Sequence, residues 1–162
     1  MSKASQPLKW FGGKSHLAKK IIDLMPDHKK YLEAYAGGAA VLLNKPCEGI
    51  AEWINDTNLE LTNFWSVMTD PQKFEKFHRL CEGTPFSEAT FEWAVRMSHI
   101  NPSLPYEQRA YIFFLKMRMS RQGVGKNYAT PTGRTRRGMN ENVSAWLSAV
   151  DGLPEIHQRL RR

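Results

Sequence analysis

The chain has 162 residues, 41% of them hydrophobic and 24% charged, the profile of one soluble globular domain with a core of useful size. No apolar run approaches the roughly 20 residues of a membrane-crossing helix, the polar start lacks the apolar stretch of a secretory signal, and Cys47 and Cys81 form neither a CxxC pair nor a cluster with His, so neither a zinc site nor a structural disulfide is implied. The net charge of +7 is uneven: residues 1–110 hold 13 Lys+Arg and 13 Asp+Glu, whereas residues 111–162 hold 10 and 3. A cytoplasmic protein with two free thiols and a polyanionic partner for its basic back half is the expectation, and a merely solvated basic face is the alternative.

In chain order, residues 15–25 read as a helix, with Leu17, Ile21, Leu24 and Met25 at helical spacing, Ser15 as N-cap and Pro26 past the end. Residues 31–35 read as a strand running into the turn Ala36-Gly37-Gly38, residues 38–44 as a helix and residues 49–55 as a second strand. This βαβ unit predicts two parallel strands. In residues 57–69, Leu61, Phe64, Trp65 and Met68 form one helical face and Leu59, Thr62, Asn63 and Ser66 another. Pro71 opens an amphipathic segment with Phe74, Phe77 and Leu80; further helices are predicted over 87–98, 105–121 and 143–150, with Trp146 and Leu147 in the last. Residues 123–142 read as a long basic loop. Only two strands are convincing, both before residue 56, although a parallel sheet needs several strands buried on both faces. The five histidines, His16, His28, His78, His99 and His157, are scattered and read as surface or core residues.

Two glycine clusters are candidates for ligand binding. The run Gly12-Gly13-Lys14-Ser15 resembles the end of a phosphate-binding loop, but that motif needs glycine where Leu8 stands, and no strand leads into it. The later run at 123–127 fails too, because Asn127 replaces Ser/Thr. The cluster in "YLEAYAGGAAVLL" is stronger. A strand, two glycines and a helix start give a tight turn that a ligand can approach, with helix amides that favour an anionic group. Asp56 follows Gly38 by 18 residues, after the second strand, where an acid accepts hydrogen bonds from ribose hydroxyls. A glycine turn that serves packing alone is the other reading.

Three segments in order carry a family resemblance. "PLKWFGGKSHLAKKIIDLMP", "YLEAYAGGAAVLLN" and "EWINDTNLELTNFW" resemble the amino-terminal motifs of the Dam-like, D12 class DNA adenine-N6 methyltransferases. The match covers most of residues 7–68 and continues weakly through "SRQGVGKNYATPTGRTRRGMNENVSAW", which is similar to the family's basic target-recognition segment. The resemblance implies an α/β chain: an incomplete Rossmann-like S-adenosylmethionine-dependent fold over residues 1–68, then a helical, basic DNA-recognition region over 69–162. It implies S-adenosylmethionine as cofactor. Trp10 would pack on an apolar part of it, Lys14 would pair with its carboxylate, Glu33, Tyr35, Ala36, Gly37 and Gly38 would line it, and Asp56 would hold its ribose. Ala34 and Ala39 depart from the family's usual Pro and Gly. It also implies double-stranded DNA as partner, met by Arg121, Lys126, Asn127, Arg134, Arg136 and Arg137 beside Tyr128, mostly at phosphates.

The family's catalytic Asp-Pro-Pro-Tyr does not occur in the chain; the nearest string is Asp70-Pro71-Gln72-Lys73. In the family that motif orients the amine of an adenine turned out of the duplex. No catalytic residue and no metal ligand is therefore assigned. The expectation is a truncated product or one half of a split methyltransferase, active with a second polypeptide. A non-catalytic DNA-binding module derived from such an enzyme is the alternative.

Overall fold

The computed structural model describes residues 6–100 and 103–161. It is a mixed α/β chain, mostly helical, with two short parallel strands. Helix α1 (Ala18–Asp23) is shorter than its apolar spacing suggests, and Ser15 does not cap it. The chain enters through a turn closed by Leu17 N–H on the Lys14 carbonyl (3.0 Å), which puts Leu17 at the N-cap. Ala18, Ile21, Ile22 and Met25 pack against Ala40 and Val41, while Leu17 and Leu24 are exposed.

Strands β1 (Lys30–Glu33) and β2 (Ala51–Ile54) pair in parallel, Leu32 opposite Trp53 and Glu33 opposite Ile54. Helix α2 (Ala40–Asn44) crosses between them. Alternation places Tyr31, Glu33, Glu52 and Ile54 on the covered face. Leu32 and Trp53, 60% and 51% exposed, share the open one.

The rest is helical. Helix α3 (Leu59–Thr69) is capped by Asn58, whose side chain accepts from the amides of Glu60 and Leu61. Helix α4 (Pro71–Glu82) is capped in the same way by Asp70. The string nearest to the family's catalytic motif is thus a helix start. Two face assignments change. Asn63 is buried, its amide donating to the Tyr106 carbonyl (3.0 Å), and Leu80 is exposed while Cys81 completes the buried stripe with Phe74 and Phe77. Helices α5 (Glu88–Ile100) and α6 (Tyr106–Met119) follow. The expected loop over 123–142 holds a hairpin, β3 (Thr135–Arg136) and β4 (Met139–Asn140). Its two-residue turn, Arg137-Gly138, has both φ values positive (55° and 74°), the requirement of a type I′ turn.

Helix α7 (Glu141–Asp151) begins two residues earlier than predicted; Trp146 is buried in it and Leu147 exposed. After Gly152 the chain forms helix α8 (Leu153–Leu160), with a proline in its first turn. Leu153, Ile156 and His157 are buried. The His157 ring stacks on Phe74 (4.1 Å) and its Nδ1 donates to the Met68 carbonyl (2.7 Å). No helix among the described residues is long and apolar enough to cross a membrane.

One core runs from Leu8 and Leu42 through α3 to Ile156. Phe64 stands at its centre, within 5.0–6.2 Å of the rings of Trp65, Phe77, Phe113 and Phe114. An ion cluster with Lys45 buried and Glu52 and Arg159 partly buried fastens α8 to the sheet. The Arg159 guanidinium meets both Glu52 oxygens (2.6 and 3.0 Å) and the Leu42 carbonyl (2.7 Å), and Lys45 Nζ meets Glu52 at 2.7 Å. Burial pushes the Glu52 carboxyl up, but the bonds from Arg159 and Lys45 outweigh it and hold it below its usual value of 4.5.

A depressed carboxylate adds stability that is present above its unfolded value and lost as pH falls through its folded one. Glu52→Ala leaves two cations without their shared partner and is expected to cost about 3–5 kcal/mol in urea unfolding. It also removes part of the stability loss below pH 4.5. An unchanged urea midpoint would contradict this role.

Candidate functional site

The first glycine cluster forms a turn. Gly13 N–H bonds the Trp10 carbonyl (3.0 Å), and Gly12 takes a positive φ (73°). The second cluster reverses the chain after β1. Gly37 has φ 51°, and so, nearly, does Ala39 (52°), the position where the family usually carries glycine. A left-handed Ala costs about 1–2 kcal/mol, so this departure has a physical consequence.

The two turns face each other across a cleft of about 220 Å³. Its lining holds Trp10, Lys14, Tyr35, Ala36, Gly37, Gly38 and Asp56, together with Gln6, Gly12, Gly13 and Ala40. The glycines set its shape: a Cβ on Gly37 would lie 2.7 Å from Trp10 Nε1, and one on Gly38 would lie 2.5 Å from Gln6 Nε2. The Asp56 carboxylate accepts from Gly37 N–H through Oδ2 and from Asn58 N–H through Oδ1, both at 3.0 Å. A carboxylate has about four lone-pair sites, so Asp56 retains acceptor capacity toward the cleft. Lys14 Nζ donates to the Tyr35 carbonyl (3.3 Å), and Tyr35 itself is 75% exposed.

Glu33 is placed elsewhere. It is buried behind the turn, where Oε2 accepts from Leu42 N–H (3.0 Å) and Oε1 meets no hydrogen-bond donor within bonding distance among the described residues. Burial pushes its carboxyl up, with partial relief from the Leu42 amide and Lys14. The α2 amide that the sequence offers to an anionic ligand is thus met by the protein's own carboxylate.

Two residues at this site carry no sequence signal strong enough to single them out. Gln6 Nε2 donates to the Gly38 carbonyl (2.9 Å), and Trp65 Nε1 donates to the Gly37 carbonyl (3.1 Å). Trp65 reads from its spacing as a core residue, which it is. The clue was its indole N–H, which must find an acceptor when buried.

Arg121, Lys126, Asn127, Arg134, Arg136 and Arg137 are all exposed, in two groups. Arg121, Lys126 and Asn127 lie on the loop after α6, closed by Arg121 N–H on the Asn127 carbonyl (2.8 Å). Arg134, Arg136 and Arg137 lie on or beside the hairpin, and Arg137 Nη1 donates to Ser148 of α7 (3.0 Å). Tyr128 turns inward against Phe86 and Phe91. The loop is fixed to the cleft's own entry segment: a Cβ on Gly123 would lie 2.3 Å from the Lys9 carbonyl oxygen.

The model of the D12 class N6 adenine-specific DNA methyltransferases matches residues 10–92. The chain belongs to this family. It is similar to the DNA N-6-adenine-methyltransferase of Escherichia phage P1, 33% identical over 60 residues, 37% of this chain and 8% of that protein. It is also similar to the DNA adenine methylases of two Vibrio cholerae serotype O1 strains, 33% identical over 75 residues, 46% of this chain and 26% of each methylase. The chain therefore matches about a quarter or less of the length of these relatives. The D12 match takes in both turns and helices α3 and α4, and it stops before the basic loop and hairpin.

Gly37→Ala tests the close approach at this D12 turn. The new Cβ meets the Trp10 indole and φ is unfavourable, so unfolding free energy is expected to fall by about 1–3 kcal/mol. The Trp10 indole N–H resonance should shift. Wild-type stability with an unmoved Trp10 signal would show that the ring does not rest on this glycine.

Proposed function

We propose that residues 1–68 are the cofactor-binding half of a Rossmann-like, S-adenosylmethionine-dependent DNA adenine-N6 methyltransferase domain, and that residues 69–162 are its helical DNA-recognition region, in a cytoplasmic setting. The cleft between the two glycine turns, in a chain of the D12 family, is the observation that carries this reading. Its residues suit the group. Lys14 offers a compact cation to a carboxylate, Asp56 offers free lone pairs to ribose hydroxyls, and Trp10 offers an apolar face. The backbone of Tyr35 to Gly38 runs alongside, with no Cβ at the glycines. Glu33 acts from behind, holding α2 against the turn.

When bound, S-adenosylmethionine supplies an electrophilic methyl group. The work of this chain is to bind and orient it. About 220 Å³ is below the roughly 300–1,000 Å³ of sites that enclose a whole ligand of that class, which fits a half-site. These 162 residues do not include Asp-Pro-Pro-Tyr, so the groups that orient the adenine amine are assigned to a part of the enzyme outside them, in a longer form of the chain or in a second polypeptide. The exposed arginines and lysine of the loop and hairpin are assigned to phosphates of double-stranded DNA. The missing motif beside an intact basic region also supports the second reading, a non-catalytic DNA-binding module.

Calorimetric titration with S-adenosylmethionine is expected to show binding that Lys14→Ala and Asp56→Ala each weaken about tenfold, one charge-assisted hydrogen bond apiece. Equal affinity in all three would remove the cofactor site. DNA affinity is expected to fall steeply with salt, and Arg134→Ala and Arg136→Ala each to flatten the log–log slope by about 1. A salt-independent affinity would sink the phosphate contacts. Methyl transfer to duplex DNA is expected only when a polypeptide with the catalytic motif is added; DNA binding with no transfer even then would favour the binding module.

A further inference from the structure

We propose that Gln6 and Trp65 are positioning residues of the turn that walls the cleft, acting through the carbonyls of Gly38 and Gly37. The proposal rests on the S-adenosylmethionine reading of the cleft. The turn between β1 and α2 has two residues with positive φ, Gly37 and Ala39, and its internal closure is the bond from Ala39 N–H to the Ala36 carbonyl (2.7 Å). An L-residue in the left-handed region is intrinsically disfavoured, so the turn needs support from outside its own sequence.

That support comes from three segments. Asp56 takes the Gly37 N–H, Trp65 on α3 gives its indole N–H to the Gly37 carbonyl, and Gln6 of the entry segment gives its amide to the Gly38 carbonyl. Trp65 is 3% exposed and lies outside the lining of the cleft, so its influence on a ligand passes through Gly37. Gln6 reaches its carbonyl only because residue 38 has no Cβ, which would lie 2.5 Å from its Nε2. The pair thus decides where two backbone units of the wall stand, and ligand affinity depends on a wall already in place.

Gln6→Met keeps length and loses the donor; Trp65→Phe keeps a buried ring and loses the indole N–H. Two measurements are paired on each variant and the wild type: S-adenosylmethionine affinity by calorimetry, and amide hydrogen exchange at Gly37 and Ala39 with α6 amides as the global reference. Each variant is expected to bind roughly three- to tenfold more weakly, the worth of one neutral hydrogen bond. Gly37 and Ala39 should exchange faster by a similar factor while α6 is unchanged. Wild-type affinity in the variants overturns the proposal. So does acceleration that α6 shares equally, which is plain destabilisation. If Trp65→Phe fails to fold, Gln6→Met decides. If the wild type itself binds no S-adenosylmethionine, the cofactor reading fails and the exchange arm still decides whether these residues hold the turn.

Discussion

The backbone of Gly37 is the point on which this arrangement turns. Its N–H is taken by Asp56 Oδ2 and its carbonyl by the Trp65 indole. The other Asp56 oxygen takes Asn58 N–H, and the Asn58 side chain caps α3, the helix that carries Trp65. These bonds close a ring from the end of β1, across the end of β2, along α3 and back. Two four-residue strands are marginal by themselves. Here their ends are tied by a carboxylate above and by the Glu52 cluster at the side. An unpaired buried backbone group costs about 1–3 kcal/mol, so each bond in the ring resists loss of the others.

The same ring explains why the cleft and the helical region are one body. Trp10 reaches Phe113 at 6.3 Å, and Phe113 reaches Phe64 at 6.2 Å, so the indole that roofs Gly37 is also the edge of the core. On the other side of that segment the Lys9 backbone supports Gly123, where the basic loop begins. The division proposed at residue 68 is thus one of function laid over a continuous core. Much of the charge difference between the two parts of the chain belongs to surfaces: the five cations from Arg121 to Arg137 are exposed on a loop and a hairpin, whereas Arg118 and Arg159 turn inward to the Ala145 carbonyl and to Glu52. Burial lowers Arg118 to about 10, well above neutrality, so it remains a cation inside the protein and adds nothing to the external surface.

The parts of the fold legible in sequence were those written in local periodicity. The βαβ unit and helices α3 to α7 follow from apolar spacing and turn residues, and their ends shift by a few residues because caps decide them: Asn58 and Asp70 end the ambiguity where they bond, and Ser15 does not bond. The hairpin was illegible because two-residue strands have no alternation to read, and Arg stands at the first turn position where Asn or Asp would announce it. Helix α8 was hidden by Pro154, which breaks a helix interior yet suits a first turn. At the site, the family resemblance named Trp10, Lys14, Tyr35, Ala36, Gly37, Gly38 and Asp56, which line the cleft, and Glu33, which does not. It could not name Gln6, or show that Glu33 faces α2, because both facts depend on the approach of segments more than thirty residues apart or on which side of a strand is covered.

Glu33 and the sheet lead to the same physical point. In a parallel sheet both faces are normally covered. Here the face bearing Glu33 is covered by α2, and the face bearing Leu32 and Trp53 is open. Tyr35, which lines the cleft, and Leu59, the first residue of α3, are exposed as well. An apolar sheet face, a cleft of about 220 Å³ and the absence of Asp-Pro-Pro-Tyr from these 162 residues are three separate observations, one of packing, one of volume and one of chemistry. A single complement outside these 162 residues, one that covers the open side of the sheet and brings the motif to the strand ends, would answer all three. Simple surface solvation would answer none of them. The turn that sets Lys14 and Asp56 across one cleft supports the proposed methyltransferase reading over the binding module, because a module that only holds DNA has no use for it.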